Sequence, residues 1–255
     1  MSLATRIVAR LDVKPNIGVI KGVRMDGLRC VGEPLEMAQR YEAQGADEIL
    51  YLDTTASLYG RVVDRALVTR TGDTLTIPFT VGGGVRTLAE FAAIIRGGAE
   101  KVAINTAALA QPTLITECAK AFGSQAVVIS LEVKRVEGVP PMWRAYCLGG
   151  REPAARDAVE WATEAVERGA GELLVTSVDR DGTGLGFDCA LLRALRARLP
   201  TTVIAASGGL GTPADAVQIL AAGASAVVVG SYLHAGGTVG EIKAALATAG
   251  REVRV

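Results

Sequence analysis

The chain has 255 residues, a formal net charge of zero at pH 7 and 49% hydrophobic residues, which suits one compact α/β enzyme. Nucleic-acid-binding proteins carry a basic surplus, so this balance argues against that class. The four cysteines lack C-x-x-C spacing, so we expect reduced thiols and no metal site. No apolar stretch reaches membrane-spanning length and no signal-peptide pattern precedes the first strand, so we expect a cytoplasmic protein.

Short apolar runs alternate with amphipathic segments of helix length along the whole chain. The runs predict strands at 6–11, 48–52, 77–81, 101–104, 126–131, 172–176, 202–206 and 226–229. The segments between them predict helices at 34–44, 62–71, 87–96, 113–121, 155–168, 189–199, 213–221 and 240–248. Strands that alternate with helices form parallel sheets. Eight such units predict a (β/α)8 TIM barrel, with an open doubly wound sheet as the alternative.

The second half of the sequence repeats the first. LDVK at 11–14 returns as LEVK at 131–134, and GGVRT at 83–87 returns as GGLGT at 208–212. A repeat of this length predicts two half-barrels, about 1–124 and 125–255, within a single domain of residues 1–255. Two long irregular stretches, 14–33 and 135–152, are equivalent under the repeat, and we expect both at the active-site face.

Glycine-rich strand ends recur in both halves, after predicted strands 3 and 4 and again after strands 7 and 8. Barrels bind phosphate at such ends through backbone N–H groups and helix N-termini. We therefore predict two phosphate-binding clusters and a substrate with phosphate at both ends; the alternative is that these glycines serve only as turn residues. The strand 3–4 cluster contains Gly83, Gly84, Asn105 and Thr106. The strand 7–8 cluster contains Ser207, Gly208, Gly209, Gly230 and Ser231, extended by Asp181 and Gly182.

Two carboxylates end the first and fifth strands at equivalent positions. Side chains alternate along a strand, so Asp12 shares a face with Arg10, and Glu132 shares a face with Ser130. If those faces point inward, Asp12 and Glu132 stand opposite each other at the carboxyl-terminal rim. One can then act as general acid and the other as base. The alternative is a pair of rim charges neutralised by a lysine such as Lys14 or Lys21.

Longer motifs cover nearly the whole chain: RIVARLDV at 6–13, FTVGGG at 79–84, KVAINTAA at 101–108 and TSVDRDGT at 176–183. Together they resemble the cyclase subunit of imidazole glycerol phosphate synthase, from histidine biosynthesis. The resemblance implies a lyase in which ammonia attacks a bisphosphorylated ribulosyl formimino aminoimidazole carboxamide ribonucleotide. The products would be imidazole glycerol phosphate and aminoimidazole carboxamide ribonucleotide.

The same resemblance implies roles for particular residues. Asp12 and Glu132 would be the acid–base pair, Lys21 would lie on a mobile loop over the substrate, and Thr176 would contact it. Neither a cofactor nor a metal is expected. Four charges that open strands would form a gate through which ammonia enters the closed bottom of the barrel: Arg6, Glu48, Lys101 and Glu172. The alternative for these four is a structural ring of ion pairs.

The source of ammonia would be a second polypeptide or the solution. Releasing ammonia from glutamine requires an activated nucleophile, usually with a histidine. The chain has one histidine, His234, and no recognisable nucleophile motif. We therefore expect a glutaminase subunit as partner in a heterodimer, and we expect His234 to be structural.

Two positions depart from the family pattern, which has a small residue, often cysteine, in place of Arg10 and aspartate in place of Glu132. We expect Arg10 to point into the barrel and to pair with both Asp12 and Glu132, since a buried guanidinium needs partners and such pairing lowers a carboxyl pKa. The extra methylene of Glu132 displaces its carboxylate by about 1.5 Å. Two alternatives stay open: a divergent paralogue that delivers ammonia to another substrate, such as a surface-polysaccharide sugar, and a catalytically silent barrel bound to a glutaminase.

Overall fold

The computed structural model describes residues 4–138 and 142–254. The strands of these ranges are β1 (Arg6–Lys14), β2 (Gly18–Val23), β3 (Asp26–Gly32), β4 (Glu48–Leu52), β5 (Phe79–Gly82), β6 (Lys101–Ile104), β7 (Val127–Val136), β8 (Met142–Cys147), β9 (Glu152–Asp157), β10 (Glu172–Ser177), β11 (Val203–Ser207) and β12 (Ala226–Val229). The helices are α1 (Pro34–Ala43), α2 (Arg65–Gly72), α3 (Leu88–Arg96), α4 (Thr106–Ala110), α5 (Thr113–Phe122), α6 (Ala158–Glu167), α7 (Cys189–Arg198), α8 (Pro213–Ala221), α9 (Ser231–His234) and α10 (Val239–Thr248). None of the described helices is long and apolar enough to traverse a bilayer.

Eight parallel strands close into a barrel. Their order is β1, β4, β5, β6, β7, β10, β11 and β12, and β12 pairs back with β1 through Arg6 opposite Ala226. The predicted (β/α)8 barrel is confirmed, and the open doubly wound sheet is excluded. β1 and β7 lie four strands apart in this ring, so the ends of the two strands that carry the predicted acids face each other across the mouth.

The barrel strands are buried on both faces, as the continuous apolar runs of the sequence require. One face packs against the surrounding helices in the main hydrophobic core. The other face fills the inside of the barrel with a separate cluster: Val8, Leu50, Leu52, Ala103, Val128, Leu174, Ala205, Ala226 and Val228. Val8, Arg10 and Asp12 alternate along β1, so this strand changes from apolar to charged side chains as it approaches the mouth.

The two stretches predicted to be irregular form antiparallel hairpins instead. β2 and β3 pair with each other and extend from β1, while β8 and β9 do the same beside β7. Their many exposed residues give no apolar run, so the sequence pattern did not indicate strands. The helix predicted from residue 155 begins at Ala158, because β9 continues to Asp157, whose side chain accepts hydrogen bonds from the first turn of α6.

The internal repeat is visible in the backbone. Thr87 and Thr212 have nearly identical dihedral angles, φ −137°, ψ 156° and φ −138°, ψ 157°, and each closes a capping box. Asn105 and Gly230 precede short helices with φ −134°, ψ −87° and φ −121°, ψ −76°. Each half therefore presents the same glycine turn and the same short helix at the mouth.

We predict that Gly84→Ala destabilises the fold much more than Gly60→Ala. Both glycines have left-handed backbone angles, φ +66° and φ +63°. A Cβ at Gly84 would lie 1.9 Å from the backbone oxygen of Arg61, whereas a Cβ at Gly60 would meet nothing within 4 Å. Gly60→Ala should cost about 1–2 kcal/mol of unfolding free energy, and Gly84→Ala at least about 2 kcal/mol more. Urea unfolding of both variants measures the difference; equal losses would contradict it.

Candidate active site

A cavity of about 360 Å³ opens at the carboxyl ends of the barrel strands. All four residues of the strand 3–4 cluster, Gly83, Gly84, Asn105 and Thr106, line it together with Glu132. Asn105 and Thr106 also bind the β8–β9 hairpin and the turn that follows β8, through Asn105 Nδ2 to the Tyr146 oxygen at 3.1 Å and the Leu148 N–H to Thr106 Oγ1 at 3.2 Å. One predicted phosphate-binding cluster and one predicted acid therefore line the same cavity.

Sequence reasoning missed an ion pair in the wall of this cavity. The Arg61 guanidinium forms a two-pronged contact with the buried carboxylate of Asp53 and donates to Thr55 Oγ1 at 2.6 Å. Arg61 and Arg86 line the cavity that holds the glycine turn, and each is ion-paired, Arg61 with Asp53 and Arg86 with Glu90. The only signal in the sequence was an acidic residue directly after strand 2, a pattern too common to single out.

The strand 7–8 cluster is divided between two environments. Ser231 and Gly182 line a second cavity of about 590 Å³ with Lys21 and His234. Lys21 lies on β2, and its Nζ is 3.2 Å from the Asp181 carboxylate. This contact holds the β2–β3 hairpin against this side of the mouth. Gly208 and Gly209 are packed so tightly that a Cβ would lie 2.7 Å from the backbone oxygen of Ser177 and 2.3 Å from that of Gly186, respectively. The last three predicted contacts lie beside Arg10: Thr176 and Ser207 accept hydrogen bonds from its guanidinium, and a Cβ at Gly230 would lie 3.4 Å from its backbone oxygen.

Arg10 is buried in the mouth, as predicted, and binds three side chains. Its Nε donates to Asp12 Oδ1 at 2.8 Å, and its Nη1 donates to Thr176 Oγ1 at 3.2 Å and to Ser207 Oγ at 3.0 Å. Nη2 is buried without a hydrogen-bond partner in the described chain. Burial disfavours the charged guanidinium, but the charges of Asp12 and Asp181 outweigh it, so the pKa of Arg10 is raised.

The expected pairing of Arg10 with Glu132 is wrong. Glu132 Oε2 instead accepts a hydrogen bond of 2.7 Å from the backbone N–H of Gly150. Burial raises the pKa of Glu132 to about 7, although the Gly150 N–H and the more distant charge of Arg10 act in the opposite direction. The charge of Asp12 adds to the increase, so the two carboxyls are close enough to influence each other.

The four strand-opening charges form one closed ring, here called the charge ring. Arg6 binds Glu48 at 2.7 Å and Glu172 at 2.9 Å, while Lys101 binds the same two carboxylates at 2.8 Å and 2.9 Å. Cations and anions alternate, so each charge has two opposite neighbours. Directly inside the ring lies a void of about 10 Å³, lined by apolar residues, Thr80 and the two glutamates.

His234 contacts the side chain of Tyr41 on α1. Its Nδ1 lies 2.8 Å from the hydroxyl of Tyr41, which also accepts from Arg40 at 3.1 Å. Burial lowers the pKa of His234 to about 4, so the ring is neutral at pH 7. Within the described residues, all four cysteines are free and no three potential metal ligands lie together.

The fold and the site define a (β/α)8-barrel enzyme built from two matching half-barrels. Residues 6–238 match the family model described as histidine biosynthesis protein. The imidazole glycerol phosphate synthase subunit HisF of Myxococcus xanthus is 50% identical over 254 residues, 99% of this chain and 98% of that protein. The HisF subunit of Beutenbergia cavernae is 47% identical over 100% of both chains, and that of Mycobacterium tuberculosis is 46% identical over 99% of this chain and 96% of that protein. The chain therefore belongs to the histidine biosynthesis protein family.

We predict that Lys101→Met lowers the unfolding free energy by about 3 kcal/mol, because it leaves two buried carboxylates facing a single cation. The exposed Lys120 offers a matched control. Lys120→Met should change stability by less than about 0.5 kcal/mol. Chemical unfolding at pH 7 measures both variants, and similar small effects would show that the charge ring contributes little.

Glu132 should make stability depend on pH. Its folded pKa of about 7 lies above the ordinary glutamate pKa of 4.5, so the folded state holds a proton that the unfolded state loses first. The resulting stabilisation is complete below pH 4.5 and is lost as pH rises through about 7. Glu132→Gln should therefore be more stable than the native chain at pH 8, by at most about 3 kcal/mol, and the difference should vanish at pH 4. Unfolding curves at both pH values test this; a constant difference would contradict it.

Proposed function

We propose that this chain is the cyclase subunit of an imidazole glycerol phosphate synthase, a lyase of histidine biosynthesis. The observation that carries the proposal is the 50% identity to a HisF subunit over nearly the full length of both chains. The substrate would be the bisphosphorylated ribulosyl formimino aminoimidazole carboxamide ribonucleotide. Ammonia would convert it to imidazole glycerol phosphate and aminoimidazole carboxamide ribonucleotide. The same relatives favour this reading over a divergent paralogue or a silent barrel.

The mouth of the barrel supports this reaction by positioning. The strand 3–4 cluster would hold one phosphate in the cavity that Arg61 and Arg86 also line, where their N–H groups would be available to it. Gly182 and Ser231 of the strand 7–8 cluster, with Lys21, would hold the other. Anchoring both ends fixes the reacting centre between the two acids, and such positioning can supply about 7–11 kcal/mol of a barrier reduction. Asp12 and Glu132 would then exchange protons with the bound substrate.

The opposite end of the barrel supports an ammonia entrance. The charge ring would form the gate, and the void inside it has about the volume of one water-sized molecule, which ammonia resembles. We propose that a glutaminase subunit docks there and forms a heterodimer with this chain. The relatives are named as subunits, which supports an assembly of this kind. We also propose one domain for residues 1–255 and a cytoplasmic location.

Turnover with free ammonia tests the proposal. The purified chain, supplied with the formimino substrate and an ammonium salt, should release imidazole glycerol phosphate without any glutaminase. Asp12→Asn and Glu132→Gln should each reduce kcat by at least about 100-fold, since each removes one proton-transfer group. The exposed Asp73 provides a control, and Asp73→Asn should leave kcat unchanged. No product from the native chain, or full activity in both acid variants, would refute the assignment.

A further inference from the structure

Arg10 gives the two carboxyls at the mouth different partners. Asp12 receives a charged donor, Arg10 Nε, at 2.8 Å. Glu132 receives a neutral donor, the Gly150 N–H, at 2.7 Å, and no cation of the described ranges forms an ion pair with it. The second oxygens, Asp12 Oδ2 and Glu132 Oε1, make no hydrogen bond in the described chain and are not sealed from solvent. Each acid therefore offers one free oxygen to a ligand.

These partners favour opposite protonation states. An ion pair with a buried guanidinium favours the charged form of a carboxyl, because protonation would leave the guanidinium without its counter-charge. Burial without a cation favours the neutral form. Since the two acids also repel each other when both are charged, ionisation of Asp12 opposes ionisation of Glu132.

Arg10 itself is held from the other side. Thr176 on β10 and Ser207 on β11 each bind its Nη1, so the guanidinium is fixed across the barrel interior from β1. With both hydroxyls bound to Arg10, its orientation toward Asp12 is set before any substrate arrives. The Arg10 guanidinium therefore contacts the Asp12 carboxylate already in the substrate-free protein.

We infer that Arg10 is a positioning residue that assigns the role of base to Asp12 and the role of acid to Glu132. The inference rests on the proposed function and adds a direction to its proton transfers. As ammonia adds to the carbonyl carbon of the ribulosyl group, a C–N bond forms and the C=O π bond breaks. The nitrogen gives one proton to the Asp12 carboxylate, and the oxygen takes the proton of Glu132 to become a hydroxyl. Asp12 ends neutral and Glu132 ends charged.

Other charged or titratable groups surround the two acids and act on them or on the neighbouring Arg10 and His234 side chains. They come from β1, the β2–β3 hairpin, β8, the turn after β8, the loop after β10 and α9: Arg10, Lys21, Cys147, Arg151, Asp181 and His234. His234 is neutral at pH 7. Lys21 and Asp181 bind each other, which limits the net charge they present.

The test is a carboxyl titration by NMR on the intact protein labelled with 13C at the Asp and Glu side chains. Asp12→Asn and Glu132→Gln assign the two resonances. In the native chain, Asp12 should lose its proton at lower pH than Glu132. Arg10→Met should move the titration of Asp12 upward by about one to three pH units, the usual influence of an adjacent arginine. Arg10→Lys, which keeps the charge, should restore at least half of that shift.

Arg65→Met is the matched control, because Arg65 is exposed on α2, and it should move neither resonance. If Glu132 ionises before Asp12, or if Arg10→Met leaves the Asp12 titration unchanged, the inference is overturned. Arg10→Lys keeps the test decisive if Arg10→Met does not fold. If a folded Arg10→Lys variant keeps its hydrogen bond to Asp12 and yet Glu132 ionises before Asp12, a role for the Arg10 charge is overturned.

Kinetics separate this inference from the proposed function. For the native chain, the acid limb of kcat/KM should follow the Asp12 titration seen by NMR, and Arg10→Met should move it upward with that titration. Absence of turnover in the native chain would refute the function but leave the NMR order measurable. Normal turnover with an unmoved acid limb in Arg10→Met would refute only the role of Arg10.

Discussion

Closure of the sheet is the constraint on which the site depends. The eight strands are parallel, so their carboxyl ends lie at the same edge of the sheet. The pairing of β12 with β1 closes this edge into a rim, where residues distant in sequence meet. Asp12 and Glu132 are 120 positions apart, yet their charges influence each other. The same closure gathers the first residues of four strands at the other end, where the charge ring forms. An open sheet would leave these groups along two edges.

An apolar interior separates the charged groups at the bottom of the barrel from those at its mouth. At the bottom, two cations and two anions alternate and satisfy one another. At the mouth, Arg10 satisfies one acid and leaves the other with a raised pKa. The interior cluster that includes Val8, Leu174 and Val228 lies between the ends. The paired charges of the charge ring favour stability. At the mouth, the acid without an ion-pair partner favours proton transfer, because a carboxyl that keeps its proton to a higher pH can donate it.

The sequence was sufficient to predict the barrel, the repeat and the position of the charge ring, because these depend on periodicity and on residues repeated at a fixed offset. It was insufficient where the outcome depends on which of two partners lies nearer. Arg10 could have reached Glu132, but the Gly150 N–H already binds that carboxylate and Thr176 and Ser207 hold the guanidinium elsewhere. The hairpins were missed because strands exposed on the surface of the mouth need no apolar run. The Asp53–Arg61 pair was missed because neither residue has an equivalent charge at the repeat offset in the second half.

The charge ring also shows how the residues at equivalent positions of the two repeated halves have diverged. Both cations, Arg6 and Lys101, come from the first half, whereas each half supplies one glutamate. The equivalent positions in the second half are Ala126 and Ala226, which carry no charge. A barrel fused from two first halves would enclose two surplus positive charges at its floor, and one fused from two second halves would enclose two uncompensated negative ones. Only the heterogeneous fusion is electrically neutral there, so the present halves have become complementary and can no longer substitute for one another.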